Sequence, residues 1–214
     1  MRGFIKILGE VFITFGLVVL LFVAYQLWGT GRYTKAQQSN LAEQLEHHWS
    51  QPAKPAVTTE KVKLGDGMAL IRIPKLGKKY RFVIVEGTSP ADLRRGPGHY
   101  HKTAMPGQIG NFVVSGHRTT YSAPFNKLDK LRDGDEILID TKTTQYVYKV
   151  TSSQIVAPTR IEVTSPVPFH PGRKPKQRLI TLTTCHPKYS AAQRLIVFGR
   201  LDHQTPRVLD GGQK

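Results

Sequence analysis

Hydrophobic and polar positions divide this chain into three stretches. From Val11 to Trp28 no position carries charge, and only Thr14, Gly16 and Gln26 interrupt the apolar run. At ~1.5 Å rise per residue, that length meets the lower limit for a helix crossing a bilayer. Tyr25 and Trp28 suit its water-facing end. No small-x-small cleavage site follows, so the pattern predicts an uncleaved anchor and not a removed signal. The second stretch, from Gly29 to about residue 60, is polar. Within it Gln37 to Glu46 predicts a short juxtamembrane helix. Gln51-Pro-Ala-Lys-Pro-Ala56 predicts an extended linker, because each proline biases its predecessor away from helix.

Beyond residue 60 the pattern becomes short and strand-like. Apolar runs occur at Met68–Ile73, Phe82–Glu86, Asn111–Ser115, Glu136–Asp140, Gln145–Val150, Gln154–Ala157, Arg178–Thr184 and Arg194–Leu201. Turn-forming residues separate them, and Asp140-Thr-Lys-Thr144 predicts a hairpin. Helical signal is limited to Ser89–Arg95, where Ser89 can cap and Pro90 suits the first turn. Seven to eight short strands without a long amphipathic helix predict an all-β barrel or sandwich. The polar residues after Asp202 predict a fraying tail. The resulting organisation is 1–10 cytoplasmic, 11–28 anchor, 29–60 extracytoplasmic linker, 61–202 folded domain and 203–214 tail.

The net charge of +16 on 24.0 kDa changes the list of partners. Basic residues cluster at Lys75, Lys78, Lys79 and Arg81, and again at Arg173, Lys174, Lys176 and Arg178. No aromatic-interleaved RNA motif or DNA-reading helix accompanies them, which argues against nucleic acid. Solvated loop ends, or attraction to anionic lipid and wall polymers, fit the anchor better.

Candidate chemistry centres on Cys185, the only cysteine of the chain. It cannot form an intramolecular disulfide, and an unpaired thiol outside the cytoplasm is most economically a functional one. Along Leu179–Cys185, Ile180 and Leu182 share one strand face, while Thr181, Thr183 and Cys185 share the other. If the apolar pair faces the core, the thiol lies on a groove side. The competing reading is a small buried hydrophobe. His186 is adjacent, but neighbouring strand residues point to opposite faces, and Pro187 ends the pairing. His117 closes the run Phe112-Val-Val-Ser-Gly-His117 and is the better proton-transfer partner. Histidines 47, 48, 99, 101, 170 and 203 read as solvated loop, linker or tail residues. Arg194 opens a strand nine residues after Cys185, which places it beside the thiol if the two strands pair. Arg118 and Arg200 are its rivals. Nucleophile, proton-transfer partner and fixed cation together make a set for acyl chemistry, with no metal or cofactor required.

The residues Thr181-Leu-Thr-Thr-Cys185, Arg194 and Ser115-Gly-His-Arg-Thr-Thr-Tyr121 resemble the signatures of sortases, membrane-anchored cysteine transpeptidases of Gram-positive surfaces. Gly96-Pro-Gly-His-Tyr100, Pro106-Gly107 and Gly116–Phe125 are most similar to the class E branch. No Asp-Pro-aromatic lid motif precedes the barrel, unlike the pilin-polymerising class C. The resemblance implies a closed sortase-type β-barrel of seven to eight strands with short helices, behind one N-terminal transmembrane helix. It implies catalytic roles for His117, Cys185 and Arg194, and substrate contact for Tyr100, Thr183 and Thr184. It further implies a Leu-Ala-x-Thr-Gly sorting signal on surface proteins, cut between Thr and Gly. The acceptor is then a cell-wall precursor amine of the lipid II kind, at the outer face of the membrane. An extracytoplasmic cysteine protease, an L,D-transpeptidase and a wall-binding module are the rival classes. The first lacks a papain-like Cys-Gly-x-Cys context, the second its Ser-x-Gly-Cys-x-Arg pattern, and the third leaves the three residues unexplained.

Overall fold

A computed structural model describes residues 2–51 and 62–207. The predicted linker prolines at 52 and 55, and the tail from 208, lie outside the described residues. Helix α1 (Arg2–Ala24) is longer at its N-terminus than the uncharged run and has no buried residue. Its 18-residue apolar window has a mean hydropathy of 2.6. A π-helical turn (Tyr25–Gly29) carries it without a break into α2 (Thr30–Ser50).

Eight strands close into a barrel: β1 (Gly67–Arg72), β2 (Arg81–Glu86), β3 (Gly98–His99), β4 (Gly110–Ser115), β5 (Glu136–Asp140), β6 (Thr144–Val156), β7 (Arg178–His186) and β8 (Gln193–Pro206). Their order is β1-β2-β3-β4-β7-β8-β6-β5, with β1 and β5 pairing to shut it. The pairs β2–β3 and β4–β7 are parallel, and the others antiparallel. Inward-facing Ile71, Ile84, Phe112, Val114, Ile139, Ile180, Leu182 and Val197 make the core. Closure removes the unpaired sheet edges that an open antiparallel sheet would expose. Helix α3 (Pro90–Arg95) starts as its sequence predicts: Ser89 and Asp92 exchange backbone and side-chain hydrogen bonds in a capping box.

Three sequence expectations are revised. The runs at 145–150 and 154–157 are one strand, β6, as far as Val156, which crosses the polar gap through a register shift between Val150 and Ser152. A bulge of this kind absorbs an extra residue without ending the ladder. Residues 203–206 of the expected tail continue β8, with His203 paired to Val147 and Pro206 to Thr144. Their polarity reflects exposure and not fraying, since β6 supplies the backbone partners.

The third revision concerns 29–60. Instead of a linker with a short helix, residues 30–50 form one helix docked on the outside of the barrel. Leu41, Leu45 and Trp49, spaced four apart on one face, pack against Leu70, Val83 and Val85. The last two alternate with Ile84, which faces inward, so β2 is buried on both sides. Gln38 fastens the contact, with Nε2 donating to the carbonyls of Val83 and Arg95 and Oε1 accepting from Val83 N–H. The Arg207 guanidinium lies 3.9 Å above the Trp49 ring. The period of 41, 45 and 49 was present in the sequence, but the polar residues between obscured it.

Candidate active site

The parallel pair β4–β7 sets the site. Ser115 pairs with Thr183 at the last rung, and Gly116 N–H donates to Thr183 O at 3.1 Å. His117 and Cys185 therefore lie at the same level, each two residues past that rung, at the same end of neighbouring strands, His117 beyond the end of β4 and Cys185 still paired to β8. Gly116 is required where it stands, because a Cβ there would meet the Phe125 ring at 2.7 Å. On the other side, β7 and β8 run antiparallel with Cys185 directly opposite Arg194. The sequence spacing thus places the arginine where it was expected, and the pairing excludes Arg200, which stands opposite Leu179.

Strand alternation also holds. Ile180 and Leu182 enter the core, and Thr181, Thr183 and Cys185 point the other way. That outer face is roofed further back. Thr181 donates to Asn111 Oδ1 at 2.8 Å, and Asn111 Nδ2 donates to the carbonyls of Val163 and Ser165. Cys185, at the strand end beyond the bonded roof residues, is only partly buried. Thr183 is buried on the same face. Thr184 points to the opposite side, where its hydroxyl donates to Gly116 O at 2.7 Å. It is a bolt between the strand carrying the thiol and the one carrying the histidine.

His117 is half-buried beside a loop of unusual backbone. Tyr121, Ser122 and Ala123 have φ of 53°, 60° and 45°, three successive non-glycine residues in the left-handed region. Such residues cost roughly 1–2 kcal/mol each and persist only where surrounding contacts fix them. Here the turn places the Tyr121 ring 4.9 Å from the His117 ring. Thr120 Oγ1 lies 3.4 Å from His117 Nδ1. Burial, and then the nearby charge of Arg94, hold the His117 imidazole below its ordinary value, favouring the neutral ring.

Arg194 Nη1 donates to the carbonyls of Ala191 and Gln193, which tether the guanidinium to the β7–β8 loop. A planar cation facing a thiol across one rung can serve a substrate carbonyl as it gains negative charge. Arg118, the rival in sequence, is used differently. It is buried, with Nη1 donating to Cys185 O at 3.2 Å and Nη2 3.3 Å from Asp129 Oδ1. It fixes the backbone of the thiol residue. His186, close to Arg118 Nη1 at 3.4 Å, continues the pairing opposite Gln193.

Tyr100 lies on the turn after β3. Its N–H donates to Val113 O, and its carbonyl accepts from Thr103 N–H and Oγ1. Of its two neighbours, His101 is an exposed loop side chain as expected, and His99 is not. His99 is buried, not solvated, with Nδ1 2.6 Å from Glu86 Oε2. His101 Nδ1 is 2.9 Å from Glu86 Oε1. Thr103 Oγ1 is 2.9 Å from His99 Nε2. A two-residue strand has no period to read, so β3 and its buried histidine were invisible. The readable signal was Glu86, a carboxylate ending the apolar run Phe82-Val-Ile-Val. The first basic cluster is partly paired, Arg81 with Glu46 and Lys75 with Asp135, as solvated loop ends would be.

A closed barrel carries Cys185, His117 and Arg194 at one end, on β7, just past β4 and on β8, and the sortase domain model matches residues 71–202. The chain belongs to the sortase family. Sortase SrtE1 of Streptomyces coelicolor is 40% identical to it over 210 residues, 94% of this chain and 58% of the relative. The chain thus spans less than two thirds of that protein's length. The solved structure of sortase E from Streptomyces avermitilis superposes with a TM-score of 0.62 at 41% identity, over 67% of this chain and 93% of that one. That of sortase E1 from Streptomyces coelicolor, with a tripeptide in its active site, gives 0.63 at 40%, over 72% and 98%.

Proposed function

We propose that this protein is a membrane-anchored, extracytoplasmic cysteine transpeptidase acting on surface proteins with a Leu-Ala-x-Thr-Gly sorting signal. Cys185 is the nucleophile. Its proton passes to the neutral His117 ring as sulfur attacks the threonine carbonyl. Arg194 hydrogen-bonds the oxyanion of the tetrahedral intermediate. When the Thr–Gly C–N bond breaks, His117 gives that proton to the glycine amine, leaving a Cys185 thioester. An amine of a lipid II-like precursor then attacks, losing its proton to His117. The C–S bond breaks, and the thiol is restored as the new amide forms. Tyr100 walls the position of the second signal residue. Thr183 lies along the groove beside the thiol, while Thr184 contributes by holding β7 to β4. Helix α1 is the membrane span, and the groove faces the wall.

The observation carrying this reading is the register: Cys185 opposite Arg194, with His117 leaving the adjacent parallel strand at the same level. The test is incubation with a labelled Leu-Ala-x-Thr-Gly peptide and a small amine. The transpeptidase yields peptidyl amide with release of the glycine fragment. A protease yields only the acid, and a binding module yields neither product; either outcome overturns the proposal.

A further inference from the structure

The first two turns of α2 touch the loop that carries the His117 environment. Thr30 Oγ1 accepts from Tyr121 N–H at 3.3 Å, and Ser122 Oγ donates to Gly31 O at 3.0 Å. One turn on, Thr34 Oγ1 donates to Arg94 O at 2.7 Å. Thr30 and Thr34 are both buried in this contact. The Tyr121 ring, in turn, is 4.9 Å from the His117 ring and 5.9 Å from the Arg94 guanidinium carbon.

The helix therefore holds both groups that act on His117: the ring stacked on it and the cation whose charge depresses its protonation. It does so where restraint matters most. Tyr121 and Ser122 belong to the left-handed run, a backbone form that relaxes unless its surroundings over-determine it. Two of those surrounding bonds come from α2. Thr30 itself is fixed by donating to Gln26 O in the π-helical turn, at 2.7 Å. From Ala24, the end of the apolar helix, to Thr30 is ~9 Å of helix.

We infer that Thr30 and Thr34 of α2 are positioning residues for His117, acting through Tyr121 and Arg94. The segment next to the apolar helix is then part of the active-site support and not a tether. This inference rests on the proposed role of His117, but its first readout does not need turnover.

The experiment uses the full chain in detergent micelles or nanodiscs, in three variants: Thr30→Val/Thr34→Val, Thr30→Ser/Thr34→Ser and Ser122→Ala. The His117 ring is titrated by NMR, and kcat and KM are measured across pH with the labelled peptide. Removing both hydroxyls should move the His117 titration upward as Arg94 and the buried ring relax, and lower kcat about tenfold with KM within twofold, as a small misplacement of a catalytic group does. The serine pair, which keeps both hydroxyls, should restore both readouts. Ser122→Ala cuts the contact from the loop side without altering the helix and should shift the titration the same way. An unchanged His117 titration in both the valine pair and Ser122→Ala overturns the inference. So does a loss that the serine pair fails to rescue. If wild type does not process the peptide, the proposed function fails alone, and the titration still decides this inference.

Discussion

Cys185 and Arg194 face each other across a single rung of the β7–β8 ladder. The connection between them turns back so that the rung nearest the loop, His186 with Gln193, lies immediately beside that of Cys185 and Arg194. The arginine's position relative to the thiol is thus set by backbone pairing, and only its side chain has freedom. With Nη1 engaged by the loop carbonyls of Ala191 and Gln193, the guanidinium rests against the β7–β8 loop.

Replacing Arg194 should therefore cost catalysis and little stability. Arg194→Ala is expected to lower kcat by about 10²–10³, the usual loss for one oxyanion donor. Arg194→Lys should recover only part, because a point charge does not reproduce the planar fork. Steady-state kinetics with the labelled peptide and a thermal melt check both. A lysine variant with wild-type kcat would show that charge alone is used.

Cys185→Ala should abolish cleavage and transfer and leave the melt unchanged, since a half-exposed strand end contributes little packing. His117→Ala should lose 10²–10⁴ or more, the range of general acid–base help. His186→Ala should stay within about tenfold, because His186 faces Arg118. The reverse ranking of the two histidines would displace His117 from the mechanism.

Which parts were legible in the sequence follows from residue periods. Ile180 and Leu182 alternating with Thr181, Thr183 and Cys185 fixed the strand, its faces and the side of the thiol. The distance from Cys185 to Arg194 matched a hairpin return, and it was one. What stayed hidden has local physical causes. The resemblance implies substrate contact for Thr184 as for Thr183, yet alternation puts Thr184 on the inner side, against Gly116. His99 sits in a strand too short to have a pattern. Arg118 is a rival to Arg194 in the sequence, because the neighbour of a strand-end histidine carries no burial signal, and its buried bond to the Cys185 carbonyl shows only in the fold. Residues 30–50 looked like a tether because the helix buries a narrow stripe, Leu41, Leu45 and Trp49, among many polar side chains.

Glu86 gives a pH-dependent prediction. Burial alone would raise its pKa, but the hydrogen bonds and charges of His99 and His101 outweigh that and hold it below the ordinary value. A carboxylate lowered on folding stabilises the protein above its unfolded pKa, about 4.3, and that contribution is lost as pH falls through the lower folded value. Glu86→Gln should thus be less stable than wild type at neutral pH by about 2–3 kcal/mol, the worth of hydrogen bonds to a charged group. The gap should close as pH drops below about 4. Denaturant melts at several pH values measure it; a gap that persists unchanged into acid would mean the carboxylate charge is not what matters.

Removing residues before 62 should weaken the barrel, since it uncovers Leu70, Val83 and Val85. Losing Leu41, Leu45 and Trp49 forfeits about 1.5–3 kcal/mol per side chain as an upper estimate. For a domain of this size the melting temperature should fall by roughly 10 °C relative to a chain starting at residue 30. The shortened domain should also bind a hydrophobic dye more strongly. Equal melting temperatures would show that α2 rests on the barrel without stabilising it.

Specificity supplies the last test. Tyr100 is pinned through its own backbone by Val113 and Thr103, and through its neighbours His99 and His101 by the single carboxylate of Glu86. A backbone held this firmly can present its phenol as a wall, and in the proposed role that phenol would leave room for alanine at the second signal position while offering its hydroxyl to the peptide backbone. Shape discrimination of this kind is worth about 1–3 kcal/mol. Wild type should therefore prefer Leu-Ala-x-Thr-Gly to Leu-Pro-x-Thr-Gly by roughly ten- to two-hundred-fold in kcat/KM. Tyr100→Ala should shrink that ratio with little change in melting temperature, because the turn is held by backbone bonds and not by the ring. Glu86→Gln, which loosens the turn but keeps the phenol, should shrink it less. If Tyr100→Ala keeps the ratio, or wild type favours proline, the second signal residue is read elsewhere in the groove, and the Cys185 chemistry is unaffected.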